Sequence, residues 1–128
     1  MPDRSLTFAA RRLGVFLACT HALGAAELLA GAGKRVITPE VTSGARVFLA
    51  GFGNNRVATG RHDDLWARCL ALSVGARRVV LCGVDTVGLF LEDVQRVRQR
   101  VPGADVIVAA THDHEAPDTL GLWGPAMG

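Results

Sequence analysis

Two apolar runs separated by an amphipathic stretch constrain this chain more than any other feature in it. Arg77-Arg78-Val79-Val80-Leu81-Cys82-Gly83-Val84 reads as a strand. From Gly88 the period changes: Phe90, Val94, Val97 and Val101 fall at i, i+4, i+7 and i+11, one stripe of a helix. Glu92 and Asp93 lie early in it and Arg96, Arg98 and Arg100 late, which complements the helix dipole. Pro102-Gly103 stops it. Ala104 to Thr111 is then almost unbroken apolar sequence, as in strands covered on both faces. Strand 77–84, helix 88–101 and strand 105–111 are therefore expected to form a βαβ unit with a right-handed crossover.

Upstream, Trp66 to Val74 alternates partly with period two and is joined to the next run by Gly75-Ala76, a link that suits a β-hairpin. Weaker strand candidates run from Leu28 to Thr38 and from Arg46 to Ala50, and the Gly- and Asn-rich stretch from Gly51 to Asp64 reads as a loop. There is no internal repeat. The predicted class is α/β, a mixed sheet with one hairpin and one βαβ unit.

Composition narrows the partners. With 20% charged and 49% apolar residues, the 128-residue chain is not of disordered composition, and its length suits one domain. Mean hydropathy is high at +0.26, yet many apolar residues lie in the first 32 positions, and no apolar stretch long enough to span a bilayer follows, which excludes a multispan membrane protein. Residues 1–26 hold three Arg against one Asp, so the rest of the chain is neutral, which argues against a nucleic-acid binder. Arg11-Arg12, the apolar Leu13 to Cys19 and the small Gly24-Ala25-Ala26 form the pattern of a secretory signal peptide. Removal of 1–26 and a secreted or periplasmic location are the expectation; an ordinary N-terminal helix and a lipoprotein site at Cys19 are the alternatives. Cys69 and Cys82 would remain, both within apolar strands. Two buried free thiols are expected there, with a cross-strand disulfide the alternative in an oxidising compartment.

In open α/β sheets ligands gather at the carboxyl ends of parallel strands. Asp85 follows one strand there, and Thr111-His112-Asp113-His114-Glu115 the other. On an extended backbone residues i and i+2 share a side, so His112 and His114 are expected to face one volume, with Asp113 and Glu115 turned away as solvated charges. Neutral imidazole is a common zinc ligand, and His-x-His at a strand end is a moderately specific metal signal.

Thr111-His112-x-His114-x-x-Pro117-Asp118 after a buried strand resembles the zinc-site motif of the neutral/alkaline ceramidase family. Other blocks match in order: Ala30 to Lys34 running to Ile37-Thr38-Pro39; Ala50-Gly51-Phe52-Gly53; and Thr59-Gly60-Arg61-His62-Asp63 leading into Leu65-Trp66-Ala67-Arg68. The resemblance covers roughly residues 28–128, and it implies that 27–128 is the N-terminal part of a larger catalytic domain. It further implies zinc-dependent hydrolysis of a lipid amide such as an N-acylsphingosine, giving a sphingoid base and a fatty acid, with peripheral contact at a membrane surface. By the same resemblance His112 is a ligand of Zn2+, and His114 is a catalytic residue beside the metal and the substrate amide. This chain departs from the family pattern in carrying Glu115-Ala116 where better-known members have Ser-Gly. The family's other ligands, a histidine, a glutamate and a tyrosine, lie far downstream, and no Tyr occurs here.

A metallo-β-lactamase-like site would continue with Asp-His where Ala116-Pro117 stand; a truncated, exported, non-catalytic protein is the remaining alternative. His62 is expected to be a loop histidine, Asp85 either a second-layer partner of a ligand histidine or the helix N-cap, and Trp123 either a wall of an acyl-chain cleft or a packing residue. The helix arginines are expected to form a solvated face. Gly51-Phe52-Gly53 lacks the context of a dinucleotide fingerprint, and no Gly-x-Ser-x-Gly elbow is present.

Overall fold

The computed structural model describes residues 26–41 and 46–124. The expected leader at 1–26, with Cys19 and His21, lies outside them but for Ala26. Four strands, β1 (Leu28–Val36), β2 (Trp66–Val74), β3 (Arg77–Val84) and β4 (Asp105–Ala110), form one sheet in the order β1-β2-β3-β4, with α1 (Leu91–Arg100) between β3 and β4. The first two pairings are antiparallel and the last is parallel. The class is the mixed α/β sheet that the hydrophobic periods predict, including the hairpin and the βαβ unit. The weak candidate at 46–50 forms no strand; Phe48 bridges Val57 and Leu49 bridges Pro117, each in isolation.

The local chemistry follows the sequence. Gly75 takes φ +58 at the first central position of the two-residue turn, as primed hairpin turns require. The helix carries Glu92 and Asp93 in its first turn and Arg98 and Arg100 in its last. Its N-cap is Phe90, without a side-chain cap, so Asp85 does not cap it. Nor are all its arginines merely solvated: the Arg98 Nε donates to the Val106 carbonyl, 3.0 Å away, and ties the helix to β4.

Two expectations are corrected. Strand β4 is not covered on both faces: Val106 is buried, while Ile107 on the opposite face is 53% exposed. Ile107 stands in a row with Leu81, Leu70 and Ala32 across the sheet, and all four are exposed. The helix buries none of its residues, so the core is small: Ala50, Val87, Val106 and Ala116. An apolar run reports that a strand suits a covered face, but the covering layer must come from other residues. The second correction concerns the cysteines, which form a disulfide, Cys69–Cys82, across β2 and β3. The turn sets Val74 opposite Arg77, and that register carries Cys69 opposite Cys82; the pairing was thus readable from the turn length.

Cross-linking neighbouring strands removes freedom chiefly from the unfolded chain. Replacing Cys69 and Cys82 together by Ser is expected to lower stability by about 2–3 kcal/mol. Urea unfolding of the oxidised protein and the double variant measures this, and thiol alkylation without reductant should leave both positions unmodified.

Candidate functional site

Parallel pairing sets Val84 of β3 beside Ala110 of β4, so the segments leaving these strands run side by side. Thr111 N–H donates to the Val84 carbonyl at 2.9 Å and Asp113 N–H to that of Thr86 at 3.1 Å. Between these bonds His112 takes φ +62, a left-handed conformation that His tolerates better than bulkier or β-branched residues. The histidines therefore do not sit on an extended strand as alternation assumed. They converge nevertheless: their ring centroids are 4.9 Å apart, and the two Nε2 atoms 3.2 Å.

Main chain sets the tautomer of His112. Its Nδ1 lies 2.9 Å from the Val87 carbonyl, which can only accept, so Nδ1 carries the proton and the Nε2 lone pair is left facing His114. That is the arrangement by which a metal-binding imidazole is oriented from behind. Val87 is itself almost fully buried, so the carbonyl is held in place.

The His114 ring lies between two aromatic rings, Phe52 and Trp123, each with its centroid 5.6 Å away. Its third neighbour is Gly51. A Cβ built there would overlap the His114 ring at Nδ1, and Gly51 adopts φ +67; glycine is required on both counts. Phe52, also left-handed at φ 52, is 75% exposed.

Two carboxylates brace the surroundings. Asp118 accepts backbone N–H bonds from Leu120, Leu122, Trp123 and Gly124 at 2.7–3.3 Å, folding 118–124 around one charge and setting Trp123 beside His114. Burial alone would raise its pKa, but the four donors together bring it below the ordinary value of 3.8. Sequence reasoning missed this role, although an Asp followed by Gly121 and Gly124 is a turn signal. Asp85 accepts from Trp66 N–H at 2.9 Å, Arg68 Nη1 at 2.8 Å and Thr111 Oγ1 at 3.3 Å. It thus contacts neither histidine and acts only on the residue before His112. Its pKa, too, is raised by burial and more strongly lowered by Trp66, Arg68 and Thr111.

The remaining candidates lie elsewhere. His62 is 97% exposed and pairs with Asp63 at 2.7 Å. Asp113 accepts from Glu115 N–H at 2.8 Å, and Glu115 pairs with Arg56 at 2.9 Å. A cavity of about 780 Å³ opens beside Asp113, Glu115, Arg56, Asp64 and Asp85; His62 lines it, and His112 and His114 do not, so the two carboxylates are turned away from the His112–His114 pair, as alternation suggested.

The two imidazoles present nitrogen to one small volume. Two nitrogens on one tetrahedral zinc, each bound at about 2.0–2.1 Å, lie about 3.3 Å apart, close to the spacing here. Among the described residues no group of three His, Cys, Asp or Glu is placed to hold a metal.

Comparison with known proteins places this geometry in context. The fold is similar to that of a ceramidase whose structure was solved in complex with C2: 31% identity, TM-score 0.56, 72% of this chain and 16% of that chain. The described residues thus have a ceramidase-like fold, and the chain spans about a sixth of the length of the ceramidase it matches. No protein-family model matches the chain, and no curated protein does.

Two substitutions probe the geometry. Gly51→Ala should displace the His114 ring, and loss of the nuclear Overhauser contact between the two imidazoles would record it. Asp118→Asn should loosen 118–124 at a cost of about 1–3 kcal/mol. Because the folded pKa is lowered, the wild-type contribution is fully present above the ordinary value of 3.8 and lost as pH falls through the folded value. The stability gap between wild type and Asp118→Asn, measured by urea unfolding, should therefore be constant above about pH 5 and close under more acidic conditions.

Proposed function

We propose that this chain carries part of the active site of a zinc-dependent amidohydrolase that cleaves the amide of an N-acylsphingosine-like lipid. The observation that supports this most is the meeting of His112 and His114 at 3.2 Å at the end of a parallel strand, in a ceramidase-like fold. His112 would hold the metal through Nε2, its Nδ1 proton kept on the Val87 carbonyl. The chemistry a zinc ion supplies in such a place is activation of water and polarisation of the amide carbonyl. His114, one ring away, would donate to the developing oxyanion or carry a proton to the leaving amine. The remaining ligands would come from outside the described residues.

Phe52 and Trp123 offer apolar surface on either side of His114, suited to an acyl chain, and exposed Phe52 and Leu122 suit contact with a lipid surface. The Cys69–Cys82 disulfide supports an oxidising compartment, hence a secreted or periplasmic location and a leader at 1–26. One observation favours a second reading, a non-catalytic protein: no complete metal shell exists among the described residues.

The two readings separate by experiment. In the complete enzyme, His112→Ala should bring bound zinc, measured by elemental analysis, to background and abolish release of fatty acid from N-acylsphingosine. His114→Gln should retain zinc while lowering kcat by about 10²–10⁴-fold. Undiminished zinc in His112→Ala would sink the metal assignment, and absence of zinc from the wild type would favour the non-catalytic reading.

A further inference from the structure

We infer that Arg56 and Glu115 form a clamp that positions the His114 ring. The functional meaning of the clamp rests on the proposed hydrolase; its structural content does not. The guanidinium joins two segments, one nitrogen to each. Nη1 donates to the carbonyls of Ala50 and Gly51, at 3.3 and 3.1 Å. Nη2 donates to both carboxylate oxygens of Glu115, at 3.1 and 2.9 Å. Gly51 is the residue against which the His114 ring rests, and Glu115 directly follows His114. A single side chain thus holds the floor under the ring and the backbone that carries it.

The same group stands 5.3 Å from the centre of the Phe52 ring, one of the two aromatic neighbours of His114, so two of the groups around that imidazole, Gly51 and Phe52, connect to Arg56. A backbone bond from Ala50 N–H to the Ala116 carbonyl, 3.1 Å, closes the loop on the far side. The Arg56 and Glu115 side chains are 28% and 65% exposed, so the charge attraction itself is weakly stabilising. What the pair contributes is geometry. A planar fork can span four acceptors on two segments, and a lysine ammonium cannot reproduce this. Glu115 is also where the chain departs from the Ser-Gly of better-known ceramidases, and the clamp gives that departure a physical role: both residues are positioning residues for His114.

The test uses the full chain with isotope-labelled histidine. Wild type, Arg56→Met, Arg56→Lys and Glu115→Gln are compared without metal by the Overhauser contact between the Gly51 α-protons and the His114 ring. Release of fatty acid from N-acylsphingosine by the complete enzyme is then measured, with kcat and KM read separately. Arg56→Met should lose the contact and lower kcat by up to about 10²-fold, as misplacement of a reacting group does, with KM and bound zinc unchanged. Arg56→Lys and Glu115→Gln should fall between, while resonances of the Cys69–Cys82 hairpin stay in place. Persistence of the Gly51–His114 contact in folded Arg56→Met would overturn the clamp. Should Arg56→Met not fold, Glu115→Gln, altered at an exposed position, carries the test: an undiminished contact and unchanged kcat there overturn it. A complete wild-type enzyme that binds no zinc and releases no fatty acid removes the hydrolase reading, and loss of the contact in Arg56→Met would still establish the clamp.

Discussion

Everything at this site depends on the parallel pairing of β3 with β4. That pairing puts residues 84–87 beside residues 110–114, and each main-chain bond between them narrows where the next can go. The bonds from Thr111 to Val84 and from Asp113 to Thr86 fix the turn, the turn forces His112 into a left-handed conformation, and that conformation brings its ring to the Val87 carbonyl. An antiparallel partner in place of β4 would run the other way and carry the histidines to the opposite end of the sheet. The crossover helix is thus the part of the fold that makes a two-loop site available.

The site is assembled from three segments of unlike character. Residues 85–88 give a buried, rigid backbone; residues 111–118 give the imidazoles; residues 48–56 give a loop of unusual conformations, with Gly51, Phe52, Gly53 and Asn55 all at positive φ. Such conformations hold only where surroundings over-determine them. Here the bonds of Arg56 to Ala50 and Gly51, and of Asn55 N–H to the Trp123 carbonyl at 2.6 Å, supply that determination.

Much of the fold was legible because it is written in periods. The bounds of β2 and β3 follow from alternation and the Gly75 turn; the stripe located α1 but not its ends, since the helix runs Leu91–Arg100 instead of 88–101, with Phe90 and Val101 as its caps. What alternation could not convey is the point at which a strand ceases to be extended. It ended at Ala110 rather than Thr111, so the facing of His112 and His114 was anticipated by an argument that does not hold at His112. Asp85 was misread for a related reason: its partners, Trp66 and Arg68, are distant in sequence and become neighbours only through the sheet. The brace at Asp118 and the guanidinium of Arg56 were invisible for the same cause. The uncovered row of Ala32, Leu70, Leu81 and Ile107 shows the limit from the other side, since a hydrophobic pattern specifies a face to be covered without naming what covers it. The ceramidase matched here is some six times longer than the stretch it shares with this chain.

The hydrogen bond between His112 and Val87 has an evolutionary corollary. Many histidines at comparable positions lean on an aspartate or glutamate, which a single codon change can erase. A peptide oxygen has no codon of its own: any amino acid at position 87 presents it. The protonation pattern of the imidazole is thereby sheltered from point mutation at its partner, and drift at that locus is limited by what fits the packed interior instead of by what the ring requires.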